Sequence, residues 1–195
     1  RRVRTKSPEH IIAELDSLYQ IGWRGSVFFV DDNFIGHKGK LKKYLLPAII
    51  RWMELHNYPF SFTTEASIDL SDDPELMRMM VRAGFIKVFV GIETPEEDSL
   101  AECNKIQNNK RDLLNCVHII QKSGMEVTAG FIVGFDSDTP HVFQKQIDFI
   151  QRSGIVTAMV GLLNAPRLSK LYSRLYREGR IVDTFSGDNT NYSMN

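Results

Sequence analysis

The chain has 195 residues, 43% hydrophobic and 25% charged, proportions of a globular domain that exclude a disordered tail, a collagen and a disulfide knot. Twenty-four basic residues balance twenty-four acidic ones, so no basic excess is available to grip nucleic acid or an anionic membrane. Two cysteines, Cys103 and Cys116, are too few for a disulfide framework and point to a reducing, cytoplasmic setting, and no apolar run approaches the ~20 residues of a membrane span.

The opening Arg1-Arg2-Val3-Arg4 has no initiator methionine, which leads us to expect a piece of a longer protein. Ser7-Pro8-Glu9 then precedes Ile11, Ile12, Leu15, Leu18 and Tyr19, a one-sided helical spacing with Ser7 as cap and Pro8 in the first turn. Residues 26–30 are apolar throughout, the pattern of a strand covered on both faces, and end at Asp31-Asp32-Asn33. The alternation continues with a helix over 38–56, a strand over 60–65 and a helix from Asp72-Asp73-Pro74 to Gly84. A strand over 87–92 stops at Glu93, and a helical stretch opened by Thr94-Pro95 reaches Gly124 with a break near Asn108-Asn109. Then come a strand over 127–135, a helix from Thr139-Pro140 to Gly154, a strand over 156–162 and a helix over 168–178. Five strands alternating with six helical stretches predict a parallel α/β sheet, open or barrel-shaped. A βα repeat normally begins with a strand, so one strand is expected to be missing ahead of residue 7.

In parallel α/β folds the chemistry sits at the C-terminal ends of the strands. Those ends carry Asp31, Asp32 and Asn33, then Glu65, Glu93, Asp136 with Asp138, and Asn164. An aspartate just before a helix, such as Asp72, Asp73 or Asp138, is more often a helix cap than a ligand. Glutamate caps poorly, so Glu65 and Glu93 are the stronger candidates. Alternation puts Glu65 on one face with Ser61 and Thr63, and Glu93 on one face with Phe89 and Gly91. It also puts Gly130, Ile132, Gly134 and Asp136 together. These small and polar faces are expected to point inward, with the apolar faces under the helices. The glycines either leave room for a ligand or merely relieve crowding; the first is favoured.

Other motifs carry little. The histidines avoid the strand ends apart from His37, and no P-loop, nucleophile elbow or Rossmann turn is present. The spacing of Cys103 and Cys116 suits neither a zinc pair nor an iron–sulfur triad, so no metal ligands are expected.

Three stretches taken in order, Val27-Phe28-Phe29-Val30-Asp31-Asp32-Asn33-Phe34, Val90-Gly91-Ile92-Glu93 and Gly130-Phe131-Ile132-Val133-Gly134-Phe135, resemble the radical S-adenosylmethionine enzymes. The likeness is to the subgroup with an N-terminal cobalamin-binding domain, the Fe–S oxidoreductase type, and covers essentially the whole chain. It implies a partial TIM-type (β/α)6 barrel with its first strand and cluster loop missing, leaving five parallel strands and six helices. Residues 1–180 are then the truncated barrel, and the polar residues 181–195 lead to a further C-terminal region. The family's C-x3-C-x2-C cluster loop has no counterpart here. In the family those thiolates hold a [4Fe–4S] cluster that reductively cleaves S-adenosylmethionine to a 5′-deoxyadenosyl radical. The parent protein is accordingly expected to be an enzyme using S-adenosylmethionine and the cluster, with cobalamin left open as a further cofactor, and this chain alone to be inactive.

The resemblance also implies site roles. Asp31, Asp32 and Asn33 take the place of the motif that binds the methionine amino group. Glu93, assisted by Glu65, takes that of the ribose-binding residue. Gly130, Ile132 and Gly134 match the pattern beside adenine, and Asn164 belongs to the last strand. The catalytic residues and the small-molecule substrate are not legible.

Two rivals remain open. A divalent-metal lyase or aldolase on a TIM-type barrel could use Asp31, Glu65 and Glu93 as oxygen ligands, although no lysine closes a strand, Lys87 standing at a strand start. A non-catalytic module could keep a nucleoside pocket alone. Under the missing-strand reading, residues 27–30 form an exposed edge. Residues 1–6 are expected to cover it, or the chain to self-associate through it.

Overall fold

The structure, a computed structural model, describes residues 5–181 apart from Asn104 and Ile106. Residues 1–4 and most of the polar tail expected over 181–195 lie outside the described residues. The chain divides into two compact units, with the boundary between Gly161 and Leu162.

Five strands, β1 (Gly25–Phe29), β2 (Phe60–Glu65), β3 (Phe85–Glu93), β4 (Glu126–Val133) and β5 (Thr157–Leu162), form one sheet in the order β1-β2-β3-β4-β5. Parallel ladders join β1 to β2, β2 to β3 and β3 to β4. With helices of the first unit packed against it, the sheet makes a half-barrel, as the sequence led us to expect.

The helix ends follow local chemistry. The Ser7 hydroxyl accepts from His10 N at the start of α1 (Pro8–Gln20), and Pro8 fills the first helical position, where no N–H is needed. Asp73 accepts from Leu76 N at the start of α4 (Pro74–Ala83), which Gly84 ends in the left-handed conformation, φ 101°. The helix expected over 38–56 is composite. A 3-10 turn (Phe34–His37) leads to α2 (Lys38–Lys40), a π-helical turn (Leu41–Leu45) and α3 (Leu46–Leu55). The stretch from Thr94 to Gly124 resolves into α5 (Glu97–Glu102) and α6 (Leu113–Lys122), separated by a connection that contains the expected break at Asn108. The two remaining helices are α7 (Val142–Ser153) and α8 (Lys170–Arg177).

Alternation along the strands is as expected. Phe60, Phe62 and Thr64 are buried while Ser61, Thr63 and Glu65 are half-exposed; Val88, Val90 and Ile92 are buried while Phe89, Gly91 and Glu93 are half-exposed. Phe29, Phe34, Phe62 and Phe85 meet on the helical side with ring centroids 5.0–5.5 Å apart. Such a cluster supplies apolar burial plus roughly 0.5–1.5 kcal/mol per well-oriented ring pair.

The strand expected to be covered on both faces is the exception. β1 ends the sheet, and Phe28 is 49% and Val30 83% exposed. Among the described residues its run of apolar residues lies at an unpaired edge with an uncovered inner face, not in the middle of a sheet. Five consecutive residues from Val27 to Asp31 line a cavity of about 840 Å³ together with Leu15 and Leu18 of α1 and Leu41 of the π-helical turn. Neighbours of both side-chain parities line it, so the cavity runs along the backbone edge. Thr5 and Lys6 also line it, Lys6 being held by an ion pair to Glu14 at 2.6 Å.

Candidate functional site

β1 turns sharply as it ends, Asp31 N donating to Phe29 O at 3.0 Å. This brings Asp31, Asp32 and Asn33 to the strand's C-terminal end. Asn33 is committed to the protein: Nδ2 donates to Ser67 Oγ at 3.1 Å and Oδ1 accepts from Ser67 N at 3.2 Å. Ser67 in turn donates to Asp69, whose other oxygen accepts from Lys38 Nζ at 2.7 Å. Asp31 and Asp32 enter no ion pair among the described residues. Desolvation, followed by the neighbouring charge of Asp32, pushes the Asp31 carboxyl above its ordinary range, and Lys6 offsets this only in part.

Glu65 lies half-exposed on the inner face at the end of β2. Glu93 ends β3 with φ 67°, a conformation glutamate rarely adopts, where the ladder to β4 shifts register between Gly91 and Glu93. Its carboxylate folds back over Gly91: a Cβ on that glycine would lie 2.6 Å from Glu93 Oε1. Lys105 Nζ pairs with the same oxygen at 2.6 Å. No lysine closes a strand, yet one reaches the strand ends from the connection between α5 and α6. Sequence reading passed over Lys105 because alternation along strands does not report which loop residue folds inward.

The inner glycines do not stand over empty space. A Cβ on Gly130 would lie 2.7 Å from Cζ of Phe89, whose ring crosses it, and Gly91 carries the Glu93–Lys105 pair. Room for a ligand over Gly130 requires the Phe89 ring to swing aside. Ile132 is half-exposed, its carbonyl accepting from Gln146 Nε2 at 2.9 Å. Gly134 takes φ 107°, and its N–H donates to Asp138 Oδ2 at 2.7 Å. Asp138 also accepts from Phe135 N and Ser99 Oγ, so it braces the turn after β4 and does not cap α7. Asn164 is exposed and belongs to the second unit. The cavity beside β1 includes Asp31 and Asn33 in its lining but not Glu65, Glu93 or the glycines.

The chain's own residues do not fit an iron–sulfur cluster. Cys116 is buried in α6, and Cys103 is held as a thiol by burial and by the charge of Glu93. Among the described residues no three His, Cys, Asp or Glu side chains group to hold a metal ion. Asp31 beside Asp32 does suit a ligand's ammonium group, because two adjacent carboxylates enter no ion pair among the described residues.

The family profile described as the Radical SAM superfamily matches residues 1–150. The chain belongs to the radical SAM superfamily. Among its relatives an uncharacterized methyltransferase of Synechocystis is 46% identical over 188 residues, 96% of this chain and 35% of the relative. The hopanoid C-2 methylase of Rhodopseudomonas palustris is 40% identical over 182 residues, 93% of this chain and 34% of the methylase. The radical SAM chain thus spans about a third of the length of these relatives. Among solved structures, the methyltransferase TsrM from Kitasatospora setae, with cobalamin and a [4Fe–4S] cluster bound, superposes with a TM-score of 0.77 at 16% identity over 94% of this chain and 34% of TsrM. OxsB, a cobalamin-dependent radical enzyme with S-adenosylmethionine bound, reaches 0.62 at 17% identity over 90% of this chain and 26% of OxsB. At these identities the likeness is one of fold, and it agrees with the half-barrel of the radical SAM core. Among the described residues no helix is long and apolar enough to cross a membrane.

Proposed function

We propose that this chain is the S-adenosylmethionine-binding core of a methyltransferase that places a methyl group on a carbon atom of a small molecule. Two relatives named for the carbon they methylate, the hopanoid C-2 methylase and a bacteriochlorophyllide d C-12(1)-methyltransferase of Chlorobaculum tepidum 27% identical over 69% of this chain, support the reaction class. The observation that carries binding by these residues is the polar rim on the inner side of β1 to β3. Asp31 and Asp32 accept from the ligand's ammonium group. Glu93 accepts from vicinal ribose hydroxyls, with Glu65 beside it on the same face. The adenine lies along Gly130 and Ile132 once the Phe89 ring turns. One molecule of S-adenosylmethionine would supply the methyl group, and a second, at a reduced cluster, would supply a 5′-deoxyadenosyl radical. The cluster's thiolates come from outside residues 1–195, and cobalamin is a further cofactor of the whole protein.

The test is equilibrium binding of S-adenosylmethionine to the full-length, cluster-reconstituted protein. Glu93→Ala is expected to weaken it by roughly 1.5–3 kcal/mol, the usual worth of a hydrogen bond to a charged group. Residues 1–195 alone are expected to gain no cluster on iron and sulfide reconstitution. Undiminished binding by Glu93→Ala sinks the ribose assignment; about four irons per chain in the short polypeptide sinks the account of the cluster.

A further inference from the structure

The end of β3 is held in a shape its own sequence does not favour. Thr94 N donates to Ile92 O at 2.9 Å, closing a three-residue γ-turn around Glu93 at φ 67°; γ-turns with a positive central φ are rare and strained. Asn108, 1% exposed, reaches this turn from the connection between α5 and α6. Its Nδ2 donates to Gly91 O and to Ile92 O, both at 3.0 Å. Successive carbonyls of a regular strand point to opposite sides, so one nitrogen bonds both only where the strand is bent. The orientation of the amide follows: an oxygen turned toward two carbonyls would be repelled, so the NH2 group must face them. Asn108 Oδ1 is then buried with no partner among the described residues, a cost accepted where the contacts of the NH2 group matter.

Lys105 completes the arrangement. Asn108 N donates to Lys105 O at 2.9 Å, so the two residues form one turn. From that turn Asn108 grips the backbone before Glu93 while Lys105 grips the Glu93 carboxylate. Gly91 makes the grip possible, since a Cβ there would lie 3.0 Å from Lys105 Nζ.

We propose that Lys105 and Asn108 are positioning residues: a two-point clamp that holds Glu93 in its strained turn and aims its carboxylate at the inner face. The role rests on the reading of Glu93 as a ligand-binding carboxylate. Pre-organisation of this kind spares the ligand the cost of ordering the group that receives it.

Two measurements on the full-length, cluster-reconstituted protein decide it. The first is independent of any ligand. Asn108→Ala should release the γ-turn, so that the Thr94 amide exchanges its hydrogen at least tenfold faster while amides in β2 and α4 keep their rates. Unchanged Thr94 exchange overturns the clamp. The second is the dissociation constant of S-adenosylmethionine. Asn108→Ala and Lys105→Met should each raise it about tenfold, equivalent to about 1.4 kcal/mol. Lys105→Arg should restore most of the loss. In a Glu93→Ala background neither change should add anything further, because both act through Glu93. Equal effects in both backgrounds overturn the clamp while leaving the binding site intact. If Glu93→Ala itself leaves affinity unchanged, the nucleoside reading fails, and Thr94 exchange still decides whether the clamp exists.

Discussion

Asn33 and Ser67 hold the ends of β1 and β2 together through a reciprocal pair of hydrogen bonds, one from Asn33 Nδ2 to Ser67 Oγ and one from Ser67 N to Asn33 Oδ1. The pair joins two loops at the strand ends where Asp31 and Glu65 emerge. Loss of the amide in Asn33→Ala is expected to cost about 1 kcal/mol of stability in urea denaturation, in line with the net worth of ordinary hydrogen bonds. Ser67→Ala should cost less in the Asn33→Ala background than alone. Additive losses would show that the two residues act separately.

Asp31 sets a pH dependence. Its folded carboxyl is raised, by desolvation first and by Asp32 second, so the folded state binds a proton more tightly than the unfolded chain does. Its favourable contribution is complete below the unfolded pKa and is lost as pH rises through the folded value. Asp31→Asn should therefore raise the melting temperature at pH 7 and leave it unchanged at pH 3. A gain of equal size at both values would assign the effect to packing.

Gly84 ends α4 at φ 101°, where a Cβ would also lie 2.8 Å from Cε of Met53. The methionine end can move aside, but the backbone cannot. Gly84→Ala should destabilise by about 1–2 kcal/mol, the cost of a left-handed L-residue. Adding Met53→Leu should recover little of it. Full recovery would make the clash, not the dihedral, the cause.

Among the described residues the outer edge of β1 is unpaired, and it lacks proline or charge between Gly25 and Phe29. We propose that the 195-residue chain self-associates through it. Sedimentation velocity should show a larger species growing with concentration, and Phe28→Lys should suppress it. A monomer at every concentration removes the proposal.

Much of the fold was legible because its signals are local. The bounds of β2, the Asp73 cap and the Gly84 stop follow from alternation, capping and left-handed glycine. The inward turn of Glu65 followed from period two alone. What the sequence hid depends on residues far apart in the chain. The exposure of β1 is decided by its place at the end of the sheet, not by Phe28 or Phe29. The Phe89 ring fills the space Gly130 leaves, and Lys105 and Asn108 enter from a loop whose residues show no period. Even the Gly91-Ile92-Glu93 stretch, read as the end of a plain strand, carries a bend that only the Asn108 contacts make intelligible.

The strand order has a consequence for how the protein is made. Every strand lies beside the one next in the chain, so no ladder waits for a strand synthesised much later. Ribosomes add about 5–20 residues per second, far slower than a helix forms or a loop of this size closes. Each β–α–β step can therefore close as its second strand emerges. Assembly of these five strands can then follow the direction of translation, with β5 pairing after the other four and undoing none of the ladders already made.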